Sequence, residues 1–208
     1  MKENKPNLNG IKNIVFDFGR VLLNINPLLT QKGLMELGYR PDNESAGAKD
    51  DQIVVKLESG KITKEDFIDA VISVVKEGAT SNDIIQVWNA MLLDFPENHV
   101  NTLKKLRKNY KVYLLSNSNI IHFDSYTTTF REKYGFELGD LFDKMWFSFQ
   151  IGIIKPEPDI FRYILKDENL VPEETLFVDD TLMHVESAWS LGIRGFHLED
   201  GNDISDLF

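Results

Sequence analysis

Short apolar segments alternate with amphipathic ones along most of the chain, and this alternation predicts the fold. The apolar segments are bounded by polar residues and have the length of strands: Ile11–Phe16, Val112–Leu115, Met145–Phe149, Leu176–Val178 and Gly195–Leu198. Helical patterns lie between the last four of them, at about 123–134, 159–166 and 183–191. Such alternation is typical of a parallel sheet that is covered on both faces. We therefore predict an α/β protein with a doubly wound, Rossmann-like parallel sheet.

One stretch, residues 27–93, interrupts the alternation because it contains helical patterns and no convincing strand. Thr63 and Asp66 resemble a capping box at the start of one of these helices. The simplest account is a small helical cap domain of residues 27–93, inserted after the first strand, and a core of residues 1–26 and 94–208. Such a cap would lie over the carboxyl edge of the sheet, where open α/β sheets bind ligands.

Composition and charge narrow the kinds of site and partner. The chain has 208 residues, a formal net charge of −10 and no cysteine. Disulfides and cysteine-based metal sites are therefore excluded, and the negative charge disfavours nucleic acid and anionic membranes. The N-terminus lacks the apolar stretch of a signal peptide, and no segment approaches the ~20 apolar residues of a membrane span. We expect a cytoplasmic monomer or weak homodimer without nucleic-acid or membrane partners.

Polar groups follow the predicted strands at the points where the strands end. In chain order these residues are Asp17, Ser116, Asn117, Lys155, Asp179 and Asp180. Because the carboxyl ends of parallel strands meet at one edge, we expect these side chains to converge on one small anion. Clustered carboxylates repel one another unless a cation lies among them, and their oxygens suit Mg²⁺. The set predicts magnesium-dependent phosphoryl transfer, in which a carboxylate attacks phosphorus and a lysine offsets negative charge.

The same segments carry a resemblance to a known family. In order they are Val-Phe-Asp-Phe-Gly at 15–19, Leu-Ser-Asn at 115–117, Lys-Pro-Glu-Pro at 155–158 and Val-Asp-Asp at 178–180. Together they resemble the four motifs of the haloacid dehalogenase-like (HAD) superfamily over nearly the whole chain. Residues 57–63, followed by Phe67, resemble the cap of the helical-cap branch. Within that branch the chain is most similar to phosphatases of α-D-glucose 1-phosphate.

The resemblance implies a role for each matching residue. Asp17 would be the nucleophile that forms an aspartyl-phosphate intermediate. Ser116 would bind the phosphoryl oxygens with Asn117 beside it, and Lys155 would hold the nucleophile and the phosphate together. Arg20 has two interpretations, a contact with the phosphate or sugar of the substrate and a surface loop arginine. The implied substrate is a small phosphorylated metabolite, a sugar phosphate such as glucose 1-phosphate.

The implied cofactor is Mg²⁺, and the resemblance also implies its ligands. They are the Asp17 carboxylate, the Gly19 carbonyl, and Asp179, directly or through water, with Asp180 in support. His184 follows Asp180 by one helical turn. It either orients Asp180 through a hydrogen bond or is an ordinary polar residue of that helix.

Gly19 is the point at which the chain departs from the family's usual pattern. Most phosphatases of the family carry an aspartate there, which protonates the leaving oxygen and later activates water. One interpretation is a phosphatase that prefers anomeric, aryl or acyl phosphates, whose leaving groups need less protonation; the similar glucose 1-phosphatases also carry glycine. The alternatives are a catalytically weak protein that binds phosphorylated metabolites, and a 2-haloacid dehalogenase, in which Asp179 and Asp180 would be idle.

Some residues outside the motifs also have alternative interpretations. Residues 58–61 form either a loop that contacts the leaving group or a helix–helix turn built on Gly60. His122 is expected to have a local packing or polar role, and the alternative is a contact with the substrate. Trp189 is expected to lie on a helix that faces the sheet, as part of the core.

Overall fold

The computed structural model describes residues 5–40 and 52–208. Five parallel strands form one sheet in the order β3-β2-β1-β4-β5. Their bounds are Asn13–Phe16 (β1), Lys111–Ser116 (β2), Lys144–Phe147 (β3), Thr175–Asp179 (β4) and Arg194–His197 (β5). The predicted fold class is confirmed. The third predicted strand extended too far, because Phe149 lies in a short helix that begins at Ser148.

Helices cover both faces of the sheet. They are α1 (Pro27–Glu36), α2 (52–58), α3 (Lys64–Ile72), α4 (Ser81–Asn89), α5 (Glu97–Leu106), α6 (Ile120–Tyr134), α7 (Ser148–Ile151), α8 (Pro158–Asp167), α9 (Leu182–Trp189) and α10 (Ile204–Leu207). Side chains alternate along β1, so that Ile14 and Phe16 pack with residues of α5, α6 and α10. Val15 points to the opposite face and packs with residues of α8 and α9. The central strand is therefore buried from both sides.

Helices α1 to α4 lie between β1 and α5, where the cap is predicted. Leu57, Phe67 and Ile84 form a separate apolar cluster there, and Ile121 of α6 joins this cluster to the core. The predicted capping box at Thr63 is present, with its hydroxyl accepting from the Asp66 N–H at 3.1 Å. The division into a cap domain of residues 27–93 and a core remains a prediction.

Trp189 corrects one expectation about the core. Its side chain is 49% exposed, so it does not belong to the buried core. Its ring instead covers Gly195 of β5, where an added Cβ would collide with the indole. In residues 5–40 and 52–208, none of the helices combines the length and apolarity needed to cross a membrane.

Candidate active site

The carboxyl ends of three adjacent strands bring the predicted groups together. Asp17 directly follows β1, and its backbone N–H donates to the Val178 carbonyl at 2.9 Å, which extends the ladder with β4. Asp179 is the last residue of β4, and Ser116 is the last residue of β2. Because β1 lies between these strands, all three residues lie at the ligand-binding edge of the sheet.

Lys155 lies at the centre of this edge and is 2% exposed. Its ammonium donates to Asp17 Oδ1 at 2.6 Å, to Asp179 Oδ2 at 2.7 Å and to the Leu115 carbonyl at 3.0 Å. Burial alone would lower the pKa of Lys155, but the two carboxylates more than offset this and raise it. The lysine therefore stays charged, and its charge is fixed between the two acidic side chains.

The loop that carries Lys155 is held by Asn117. The Asn117 Nδ2 donates to the Lys155 carbonyl at 2.9 Å, and the Lys155 N–H donates back to Asn117 Oδ1 at 2.8 Å. The amide side chain therefore positions the lysine, and a direct contact of Asn117 with the substrate remains a prediction. The buried Ser116 hydroxyl donates to the neighbouring Asn117 carbonyl at 3.3 Å. This long bond leaves the hydroxyl able to turn towards a phosphoryl oxygen.

The pKa values of Asp17 and Asp179, the two buried acidic groups, shift in opposite directions. Burial raises the pKa of Asp17 to about 6, although the charge of Lys155 opposes the rise. Burial acts in the same direction on Asp179, but Lys155 and a hydrogen bond from His184 lower its pKa to about 2. The single ammonium therefore does not neutralise both carboxylates, and a further cation would favour the ionised form of Asp17.

Oxygen atoms of Asp17, Asp179 and Asp180 lie within 4.8 Å of one another, a spacing that fits one metal ion. All three donors are hard oxygen atoms, which suit Mg²⁺. Asp180 is partly buried, and its Oδ2 lies 3.8 Å from Arg20 Nη1. Burial and then the charge of Asp179 raise the pKa of Asp180. The donor set fits Mg²⁺, while the Gly19 carbonyl as a ligand and the substrate contact of Arg20 remain predictions.

His184 fixes Asp179 and not Asp180, which corrects one of its two interpretations. Its Nδ1 lies 3.1 Å from both carboxylate oxygens of Asp179. The Thr181 N–H donates to Asp179 Oδ1 at 2.8 Å. A different histidine contacts Asp180: His197 Nε2 lies 2.9 Å from the Asp180 backbone carbonyl. The Asp179 carboxylate is thus held in one orientation by groups from α9 and from Lys155.

The turn after α2 packs against α7, the short helix that follows β3. Gly60 has a φ of +63°, and a Cβ there would collide with the Phe149 carbonyl oxygen. Glu58, at the end of α2, is half-buried. Burial raises its pKa, and the charge of Lys155 opposes that rise, so the carboxyl lies within electrostatic reach of the lysine. The turn on Gly60 is present, and a contact of residues 58–61 with the leaving group remains a prediction.

A second contact joins the cap region to α6. His122 Nδ1 lies 2.8 Å from Asn89 Oδ1, and its ring stacks on Trp88 at 5.3 Å with an angle of 3°. Burial lowers the pKa of His122 to about 4. The imidazole is therefore neutral near pH 7 and makes the local packing and polar contacts expected from the sequence, while a contact with the substrate remains a prediction.

Comparisons with known proteins agree with this site. Residues 11–192 match the model of the haloacid dehalogenase-like hydrolase family. A D-ribitol-5-phosphate phosphatase of Bacteroides thetaiotaomicron is 33% identical over 195 residues, 93% of this chain and 94% of that protein. The sesquiterpene phosphatase astK of Aspergillus oryzae is 28% identical over 193 residues, 91% of this chain and 90% of that protein.

A solved structure is similar over the same extent. The HAD family enzyme bt-2542 of Bacteroides thetaiotaomicron, in complex with magnesium and inorganic phosphate, is 31% identical and has a TM-score of 0.85. The match covers 95% of this chain and 99% of that one. The predicted family, enzyme class and Mg²⁺ cofactor are confirmed. The chain belongs to the haloacid dehalogenase-like hydrolases and is a magnesium-dependent phosphoric monoester hydrolase among them.

Proposed function

We propose that the protein hydrolyses phosphate monoesters of small sugars and sugar alcohols, and that Asp17 carries the phosphoryl group between two half-reactions. The observation that carries this proposal is the contact of 2.6 Å between Asp17 Oδ1 and the Lys155 ammonium in a buried site. A carboxylate held in this way can attack phosphorus and form an acyl phosphate that water later cleaves. A fixed ammonium beside it offsets the negative charge of the incoming phosphate.

In the first half-reaction, a bond forms between an Asp17 carboxylate oxygen and phosphorus while the bond from phosphorus to the sugar oxygen breaks. Lys155 keeps the carboxylate in position, and the Ser116 hydroxyl donates to a phosphoryl oxygen. Bound at the carboxylates, Mg²⁺ supplies positive charge that offsets the charge of the phosphoryl oxygens. In the second half-reaction, water attacks phosphorus, inorganic phosphate leaves and the Asp17 carboxylate is regenerated.

Two features bear on the substrate, and they point to different leaving groups. Gly19 has no side chain to protonate the leaving oxygen, which favours an anomeric phosphate such as glucose 1-phosphate. The relative from Bacteroides thetaiotaomicron is named for D-ribitol 5-phosphate, an ester of a primary alcohol. Both are monophosphates of small polyhydroxylated molecules, and we assign this class to the present site.

The test is phosphate release from a panel of esters, with Mg²⁺ and with a chelator. The panel contains glucose 1-phosphate, ribitol 5-phosphate, glycerol phosphate and an aryl phosphate. We expect Mg²⁺-dependent release from the sugar and polyol esters by the wild type, and none by Asp17→Asn. Asp69→Asn changes an exposed carboxyl on α3 in the same way and should leave release unchanged.

Other outcomes would support the remaining interpretations. A folded wild type that releases no phosphate from any ester would refute the proposal. Binding of the same esters by that protein, measured by calorimetry, would then favour a binding role. Chloride release from 2-chloropropionate that needs no Mg²⁺ would instead favour a dehalogenase. If Asp17→Asn released phosphate as fast as the wild type, Asp17 would be excluded as the nucleophile.

A further inference from the structure

The backbone around Glu58 is held rigidly next to the active site. Its neighbours Leu57 and Ser59 are both buried, and the Ser59 hydroxyl donates to the Val55 carbonyl at 2.6 Å. Gly60 then passes so close to the Phe149 carbonyl that no side chain fits at this position. Since both flanking residues are packed, the turn fixes the backbone position from which the Glu58 side chain extends.

Glu58 differs from the other acidic groups near Lys155 in having no partner of its own. Within residues 5–40 and 52–208, no hydrogen bond or ion pair engages its carboxyl, although the side chain is half-buried. Asp17 and Asp179 both bond to Lys155, and Asp180 lies beside Arg20. Of these four acidic groups, Glu58 therefore has the carboxyl that no basic side chain already holds, and it is free to bond to a substrate.

The chemistry of the proposed function has an unmet need at the same place. When the bond from phosphorus to a primary alcohol breaks, the departing oxygen becomes a strongly basic alkoxide unless a proton reaches it. Gly19 supplies none, and the Ile25 side chain fills the space in front of it, 3.1 Å from the position of an added Cβ. A donor must therefore approach from elsewhere. The turn that follows Glu58 packs against α7, which leads within a few residues into Lys155.

We propose that Glu58 donates the proton to the leaving oxygen, so that the cap side of the site supplies the acid that position 19 lacks. This assignment rests on the proposed function. In the step, an Asp17 oxygen bonds to phosphorus and the bond from phosphorus to the leaving oxygen breaks. The proton of the Glu58 carboxyl moves to that oxygen, and a neutral alcohol and a Glu58 carboxylate remain. Burial raises the pKa of Glu58, which increases its protonated fraction.

The experiment compares two esters that differ in their need for a proton. Ribitol 5-phosphate releases an alcohol, whereas 4-nitrophenyl phosphate releases a stable phenolate. The measured quantity is kcat/KM, which reports the steps up to the first bond cleavage and is not affected by the later hydrolysis of the phosphoenzyme. In Glu58→Gln we expect kcat/KM for ribitol 5-phosphate to fall by about 100-fold or more, with kcat/KM for the aryl ester unchanged.

Two further variants complete the comparison. Glu58→Asp keeps an acid on a shorter side chain. Its kcat/KM for the alkyl ester should lie between those of the wild type and Glu58→Gln, and its kcat/KM for the aryl ester should be unchanged. Glu65→Gln changes an exposed glutamate of α3 and should leave kcat/KM for both esters unchanged. Because each variant is compared on two esters in one preparation, the ratio of the two values does not depend on the folded fraction.

The outcomes separate this assignment from the proposed function. Equal losses on both esters in Glu58→Gln, or no loss on the alkyl ester, would overturn the assignment while the phosphatase proposal stands. A wild type that is inactive on both esters would overturn the proposed function and the assignment with it. Selective loss on the alkyl ester, with intermediate activity in Glu58→Asp, is the result that the assignment requires.

Discussion

Replacing Asp17 with asparagine is expected to abolish turnover and, without Mg²⁺, to stabilise the folded protein. Burial raises the pKa of Asp17 from 3.8 to about 6. Because the folded state then binds this proton more tightly than the unfolded state, stability is lost as the pH rises from about 4 through about 6. Above that range the buried carboxylate costs about 3 kcal/mol, at about 1.4 kcal/mol for each pKa unit. Asparagine has nearly the same shape and no charge, so it avoids this cost.

The assay is urea unfolding of both proteins in a chelator at two pH values. At about pH 7.5 we expect Asp17→Asn to have a free energy of unfolding higher by up to about 3 kcal/mol, and at about pH 4 the difference should approach zero. Mg²⁺ at about 100 times its Kd should add about 2.7 kcal/mol to any protein that binds it only when folded. At one and the same Mg²⁺ concentration the addition should be larger for the wild type, because the variant lacks one charged ligand and has a higher Kd.

A matched control and a clear contrary result complete the test. Asp69→Asn removes an exposed carboxyl and should change the free energy of unfolding by less than about 0.5 kcal/mol at either pH. If Asp17→Asn is no more stable than the wild type at neutral pH without Mg²⁺, burial does not destabilise the nucleophile as described. A gain that is the same at both pH values would also contradict the reasoning, because it would not come from the carboxylate charge.

Three further substitutions test other contacts. Lys155→Met leaves two buried carboxylates without their ammonium. It should abolish phosphate release and lower the free energy of unfolding, measured in urea, by about 3–5 kcal/mol. The control Lys166→Met, on the exposed face of α8, should change neither quantity. Gly60→Ala should lower the thermal midpoint more than Gly78→Ala, because both have positive φ but only the first meets a backbone carbonyl. The wild type should lose up to about 3 kcal/mol of its free energy of unfolding as the pH falls from 6.5 to about 4, because the buried His122 has a lowered pKa and takes up a proton more readily in the unfolded state. His122→Phe has no imidazole to protonate, so it should not show this loss.

Residues at strand ends could be predicted because their position depends on topology alone. Once Asp17 and Asp179 are assigned to the ends of parallel strands, the sheet brings them together whatever their rotamers. The end of the third strand was harder, because residues 145–149 are aromatic or apolar except for Ser148, and a single polar residue does not mark where β3 stops and α7 begins. Sequence patterns therefore located the site but not the loop that borders it.

Directions of side chains were beyond the reach of these patterns. His184 lies four residues after Asp180 and five after Asp179, and helical spacing favours the nearer one. Helix α9 begins only at Leu182, so this spacing does not extend back to either aspartate, and the histidine meets Asp179 instead. Glu58 is a similar case, since its approach to Lys155 depends on how the turn after α2 packs on α7, a helix distant in sequence.

Placing the acid on the cap side separates it from the metal ligands. Asp17, Asp179 and Asp180 already form one cluster of oxygen ligands. A carboxyl at position 19, which most phosphatases of the family carry, would lie beside this cluster, and a bound cation would lower its pKa and its protonated fraction. Glu58 lies outside the cluster, so its proton and the metal ligands are kept apart. On this view, glycine at position 19 does not mean that acid catalysis is lost, because the proton donor and the metal ligands lie on different sides of the site.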